Sequence, residues 1–170
     1  RNTPSLYVNM ADGTFEDRWF EVDIWRALPE LDQHGAAWAD FDNDGDQDLF
    51  VSLGATDPSQ FLVHNGQILE DRTGDSNCTN CDPNNYNFDT TGWSGRMPLW
   101  FDYTQDGYLD VVLANRGGNA PLFAQIPDQP PATRFVRDNF FSRIQCYNNP
   151  YMHLADFNDD GLVDLVCADH

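Results

Sequence analysis

Three nine-residue segments follow one pattern without a gap: Asp40-Phe-Asp-Asn-Asp-Gly-Asp-Gln-Asp48, Asp102-Tyr-Thr-Gln-Asp-Gly-Tyr-Leu-Asp110 and Asp156-Phe-Asn-Asp-Asp-Gly-Leu-Val-Asp164. A spaced repeat of this kind constrains a fold more than any single residue, because each copy must be one structural unit. The flanks read as strand. Ala36-Ala-Trp-Ala39 precedes the first segment and Leu49-Phe-Val-Ser-Leu53 follows it. Pro98-Leu-Trp-Phe101 and Val111-Val-Leu-Ala114 enclose the second, and Met152-His-Leu-Ala155 and Leu165-Val-Cys-Ala168 the third. Short apolar and aromatic runs bounded by Gly, Asp, Asn and Pro are strand signals. None reaches the length and 3.6-residue period of an amphipathic helix.

A second repeat alternates with the first. Leu6-Tyr-Val-Asn9 leads to Phe15-Glu-Asp-Arg18, and Phe61-Leu-Val-His-Asn65 leads to Leu69-Glu-Asp-Arg72. Asn65-Gly66 predicts a type I′ hairpin between strands at 61–64 and 68–70, with Asp12-Gly13 in a similar part between 6–10 and 15–17. Strands at 122–126 and 135–137 repeat the arrangement around a turn holding Pro127, Pro130 and Pro131. The unit is then strand, acidic loop, strand, turn, strand, hairpin, strand. This predicts an all-β chain of four-stranded antiparallel sheets of the β-propeller blade type. A sandwich of short strands is the competing all-β arrangement; the duplicated loop chemistry disfavours it.

The blade boundaries follow from these repeats: a second half at 5–18, full blades at 36–72 and 96–138, and a first half at 151–168. Residues 73–95 form a surface loop insertion, long for an ordinary connection. Three blades are too few for a normal ring, so the 170 residues are expected to form part of a larger one, completed by the rest of a longer polypeptide or by other protein chains.

The acidic segments carry chemistry. Asp outnumbers Glu 24 to 4, and half of the Asp lie in the three windows, so a solubilising surface does not explain them. Positions 1, 3, 5 and 9 are Asp40, Asp42, Asp44 and Asp48; Asp102, Thr104, Asp106 and Asp110; and Asp156, Asn158, Asp160 and Asp164. Position 6 is Gly each time. Alternating oxygen donors before a forced tight turn wrap a hard cation that takes six to eight oxygens. Position 7 (Asp46, Tyr108, Leu162) varies freely, as expected where only its carbonyl coordinates. Calcium, up to three ions, is the expected cofactor; magnesium demands a tighter octahedron. An EF-hand is excluded: its bidentate Glu at position 12 is here Val51, Leu113 and Cys167.

On these residues, with the Leu6-Tyr-Val-Asn9…Asp12-Gly-Thr-Phe-Glu-Asp17 segment, the chain resembles FG-GAP/VCBS-type repeats of calcium-binding β-propellers of the integrin α-chain type. The resemblance covers nearly everything outside 73–95. It implies calcium ligation by positions 1, 3, 5 and 9 and the position-7 carbonyl, in a loop between the first two strands of a blade. Thr104 and Asn158 depart from it, each keeping an oxygen and losing a charge. The implied functions run from adhesion to secreted propeller enzymes, and fold alone does not choose among them.

Net charge is −19 with 9 basic residues, so no basic patch serves nucleic acid or an anionic membrane surface, and no apolar run approaches a membrane span. Four cysteines permit three pairings; Cys78–Cys81 and Cys146–Cys167 are the expected ones, and zinc lacks further ligands. Disulfides and weak calcium loops both suit a secreted, extracellular or otherwise oxidising setting. Asn77-Cys78-Thr79 fits a glycosylation acceptor. The four histidines are scattered, and no H-E-x-x-H or G-x-S-x-G motif nominates a catalytic group. Trp19 and Trp93 lie near loops; other aromatics in the strand runs read as blade cores. The function expected is a noncatalytic extracellular calcium-binding structural or protein-interaction module. The alternative is a calcium-dependent carbohydrate-binding or polysaccharide-active, lyase-like domain with glycans as partners.

Overall fold

A computed structural model describes residues 5–18, 32–54, 59–74, 84–86, 88, 90, 94–116, 118–138, 145–146 and 151–168. These residues are almost entirely strand and turn. β1 (Tyr7–Asn9) and β2 (Phe15–Asp17) form a hairpin. β3 (Gln33–Ala39), β4 (Asp48–Leu53), β5 (Gln60–His64) and β6 (Leu69–Asp71) form a four-stranded antiparallel meander. In the second such sheet, β7 (Gly95–Phe101) and β8 (Asp110–Asn115) are followed by β10 (Leu122–Gln125) and β11 (Phe135–Asp138). β9 (Gly118–Asn119) pairs instead with β12 (Gln145–Cys146), a ribbon with no signal in the strand patterns. β13 (Tyr151–Ala155) and β14 (Asp164–Ala168) make a final two-stranded sheet.

One local expectation is corrected and another is refined. Asn65 is not among the residues with positive φ, whereas Gly66 sits at φ 85°, so the hairpin is not type I′. The Asn65 side-chain oxygen accepts the amides of Gln67 and Ile68 at 3.1 and 3.0 Å, building a four-residue loop in place of the two-residue turn. The proline-rich turn before β11 contains a single-turn helix, α1 (Pro131–Arg134). Pro131 presets the first helical φ and lacks an N–H that would go unpaired there.

The sheets stack in chain order. Between the first and second lies an aromatic core of Phe41, Phe50, Phe61, Tyr86, Phe88, Phe123 and Phe135, with Trp100 packed against it. Edge-to-face contacts dominate, such as Phe41–Phe61 at 5.0 Å and Phe50–Phe88 at 5.1 Å, the arrangement favoured by ring quadrupoles. A smaller core of Phe101, Val112, Ala114, Leu122 and Met152 joins the second sheet to β13, with Leu154 and Leu165 against it. The expectation that strand aromatics are core residues fails at Trp38, which is 46% exposed on β3. First strands adjoin first strands: β3 packs on β7, and β7 on β13. At Gly35 the approach is so close that a Cβ would overlap the Arg96 carbonyl oxygen.

Candidate metal centre

Each acidic segment forms the loop between the first two strands of its sheet: β3 to β4, β7 to β8 and β13 to β14. The three loops share one hydrogen-bond plan. The position-1 carboxylate accepts the amides of positions 5 and 6: Asp40 from Asp44 and Gly45, Asp102 from Asp106 and Gly107, Asp156 from Asp160 and Gly161, all at 2.8–3.1 Å. The position-5 carboxylate accepts the amide of position 7, at 2.8 Å for Asp44–Asp46, 3.0 Å for Asp106–Tyr108 and 2.8 Å for Asp160–Leu162. Position 4 is left-handed in every loop (Asn43 62°, Gln105 60°, Asp159 58°), as is the glycine at position 6 (Gly45 94°, Gly107 88°, Gly161 86°). Asn and Asp tolerate that region; Gln105 holds it at a cost of about 1 kcal/mol.

The position-9 carboxylate ties the loop to the sheet. Asp110 Oδ2 accepts the amides of Tyr103 and Thr104 at 2.8 and 3.0 Å, while its Oδ1 accepts the amide of Gln125 on the third strand at 2.7 Å. Asp48 Oδ1 likewise accepts the His64 amide on β5 at 2.8 Å. In the third loop Asp164 Oδ2 accepts the Phe157 amide at 2.8 Å. Sequence reasoning missed the third-strand donors because a main-chain N–H leaves no mark in residue identity. It also missed His64, whose Nδ1 lies 3.0 Å from Asp46 Oδ2.

The first loop differs in charge. Among the described residues, its Asp40, Asp42 and Asp44 alone offer three acidic ligand atoms within 4.8 Å of one another. Asp42 Oδ1 and Asp48 Oδ2 are buried and accept no well-aligned hydrogen bond, the Asp44 and Phe41 amides only drawing the two pKa values partly down. Burial, and then the Asp44 carboxylate, push the Asp42 pKa up, with Arg134 only partly offsetting this. Burial raises Asp48 to about 7 against the bond from His64, with Asp42 adding to the rise. Asp110 is also pushed up, by burial. Buried acceptors without well-aligned donors, crowded by like charge, suit a bound cation. The second and third loops relieve the crowding at position 3: Asn158 Nδ2 donates to Asp160 Oδ2 at 2.9 Å, and Thr104 brings no charge. Asn43 of the first loop donates to the Gly107 carbonyl of the second at 3.3 Å, so these two loops are neighbours.

A separate cavity of about 610 Å³ lies along β3 and β7, with Tyr151 of β13 on its wall. His34 lines it, its Nε2 lying 2.9 Å from Asp32 Oδ1 and 3.0 Å from Arg96 Nη1. Cys167, on β14, is disulfide-bonded to a sulfur outside the described side chains. Cys146 is on β12, a different sheet, and its side chain is not described; Asn77, Cys78, Cys81, Trp19 and Trp93 also lie outside the described residues. Among the described residues no helix is long and apolar enough to cross a membrane. No family model and no curated protein matches the chain.

Proposed function

We propose that this chain is a noncatalytic, calcium-stabilised interaction module of extracellular type, its sheets being blades of an FG-GAP/VCBS-like β-propeller and part of a larger ring. The observation that carries the calcium reading is the pair of buried oxygens without a well-aligned donor, Asp42 Oδ1 and Asp48 Oδ2, beside Asp40 and Asp44. Calcium would supply positive charge where the fold supplies only the partial offset of Arg134. Asp40, Asp42, Asp44 and Asp48, with the Asp46 carbonyl, would hold the first ion. Asp102, Thr104, Asp106, Asp110 and the Tyr108 carbonyl would hold the second, and Asp156, Asn158, Asp160, Asp164 and the Leu162 carbonyl the third. The stacking of first strands on first strands supports the blade reading.

Binding to the native state alone contributes about 4 kcal/mol per site at a thousand-fold excess over Kd. The melting temperature should therefore rise clearly with calcium and fall with chelator. An unchanged melt after chelation, with metal removal verified by elemental analysis, would refute the calcium reading. The cavity beside Tyr151 favours a second reading, calcium-dependent glycan binding, since an aromatic wall next to convergent polar groups suits a sugar. A glycan array and a polysaccharide-degradation screen separate the two: selective glycan binding promotes the second reading, and product formation removes the noncatalytic one.

A further inference from the structure

Four charged or titratable groups gather where β3 meets β7. Asp32 precedes β3 and His34 lies on it; Arg96 is on β7. Arg116 follows β8, its amide bonded to the Ser94 carbonyl at 3.0 Å. Glycines make room for this group. A Cβ at Gly54 would overlap the side chains of Asp32 and His34, as one at Gly35 would overlap the Arg96 carbonyl oxygen. Burial and then Arg116 push the Arg96 pKa down, and Asp32 only partly offsets this. Two guanidiniums and one carboxylate make a positive spot on a chain of net charge −19.

His34 has two neighbours that one ring nitrogen cannot serve together. Its Nδ1 lies 3.1 Å from the Gly95 carbonyl, which only accepts, so Nδ1 carries a proton. Its Nε2 lies 3.0 Å from Arg96 Nη1, which only donates, and 2.9 Å from Asp32 Oδ1, which only accepts when ionised. A neutral ring accepts from Arg96; a protonated ring donates to Asp32. With both nitrogens engaged, His34 is a positioning residue. It lines the cavity of about 610 Å³ together with Arg96, and the other walls include Met97, Pro98, Leu99 and Tyr151.

We propose that this cavity binds a sugar acid, its carboxylate held by Arg96 and its ring laid on Tyr151, and that binding is coupled to uptake of one proton by His34. The proposal rests on the glycan reading of the cavity and names the kind of sugar. A planar guanidinium matches a carboxylate with two parallel hydrogen bonds. Tyr151 is 57% exposed, so a sugar ring stacked on it keeps its hydroxyls in water. A carboxylate that takes Arg96 Nη1 displaces His34 Nε2. The imidazole then takes a proton from solution and donates it to Asp32, a step open to histidine near neutral pH. Among the described residues, the charges facing His34 are Asp32 and Arg96, with Arg116 acting on Arg96. His153 shares a face of β13 with Tyr151 and does not line the cavity.

Methyl β-D-glucuronide and methyl β-D-glucoside differ only at C6, so their comparison isolates the carboxylate. In isothermal titration near pH 6 with calcium present, the glucuronide should bind at least about tenfold tighter. Arg96→Gln should abolish that preference and leave the glucoside affinity unchanged, which also shows that the variant is folded. Arg96→Lys keeps the charge without the fork and should lose part of the preference, should the first variant fail to fold. Glucuronide affinity should fall at least about threefold from pH 6 to pH 8 while glucoside affinity stays level. Titrations in buffers of different ionisation enthalpy should show proton uptake, and His34→Gln should remove it. Equal binding of the two sugars overturns the proposal and leaves the glycan reading standing. Glucuronide binding without proton uptake, or a preference that survives Arg96→Gln, also overturns it. No binding of either sugar, or tighter binding of 3-phenylpropionate than of the glucuronide, overturns both.

Discussion

Asp42 and Thr104 occupy the same place in two loops, yet only the first brings a carboxylate with a buried oxygen that lacks a well-aligned donor. The first loop should therefore hold calcium most tightly, with four carboxylates against three plus a hydroxyl or an amide elsewhere. Asp44→Ala should cost more affinity at its site than Asp106→Ala or Asp160→Ala at theirs, by isothermal titration; a wild-type first site weaker than both others would defeat the ranking. The same crowding sets a pH dependence. Asp42, Asp48 and Asp110 all have folded pKa values raised above the unfolded one, Asp48 to about 7. The native state then holds protons that the unfolded state, with a carboxylate pKa of about 3.9, has released. The stability is present below about pH 4 and is lost as pH rises through about 7. Chelated protein should thus melt higher near pH 5 than near pH 7.5, whereas calcium-loaded protein should lose stability on acidification as protons displace the metal. A chelated protein that melts lower near pH 5 contradicts this.

Strand edges and loops differ in how much the chain reveals of them. Gly35 sits where β3 meets β7, and Gly35→Ala forces its Cβ against the Arg96 backbone oxygen, which has no rotamer to escape through. Such overpacking costs about 1–3 kcal/mol, to be read from urea unfolding of both proteins; equal midpoints would show that the strands slide apart freely. Sequence gave no hint of this contact, because it joins residues of different sheets. The turn of each acidic loop was legible, down to the left-handed glycine, since its backbone requirement lies within nine residues, whereas the third-strand amides and His64 that meet the loops were not. The strands of both complete sheets were legible from their apolar runs. The ribbon of Gly118–Asn119 with Gln145–Cys146 was not, being two residues long on each side. The Asn65 loop misled because Asn-Gly commonly marks a two-residue turn, while here the Asn side chain does the turning.

Across the whole molecule the excess of negative charge sets the balance. Three calcium ions would take the net charge from −19 to −13 and would do so where repulsion is concentrated. Cys167 is already in a disulfide, and the partner expected for it is Cys146, with Cys78 joined to Cys81. Peptide mapping without reduction should recover Cys146–Cys167 across two peptides and the other pair within one; Cys167 joined to Cys78 or Cys81 would replace that connectivity. The position-9 aspartate bears on how such a chain lengthens. In both complete sheets it holds a third-strand amide, and in the second its other oxygen also fastens the loop, so this fastening is inherited whenever a sheet is copied. A duplicated segment arrives with its own fastening and requires from its neighbours only a face to lie against. Growth by copying, with side chains between sheets free to diverge, is therefore open to this architecture in a way it is not to a fold whose clamps span distant segments.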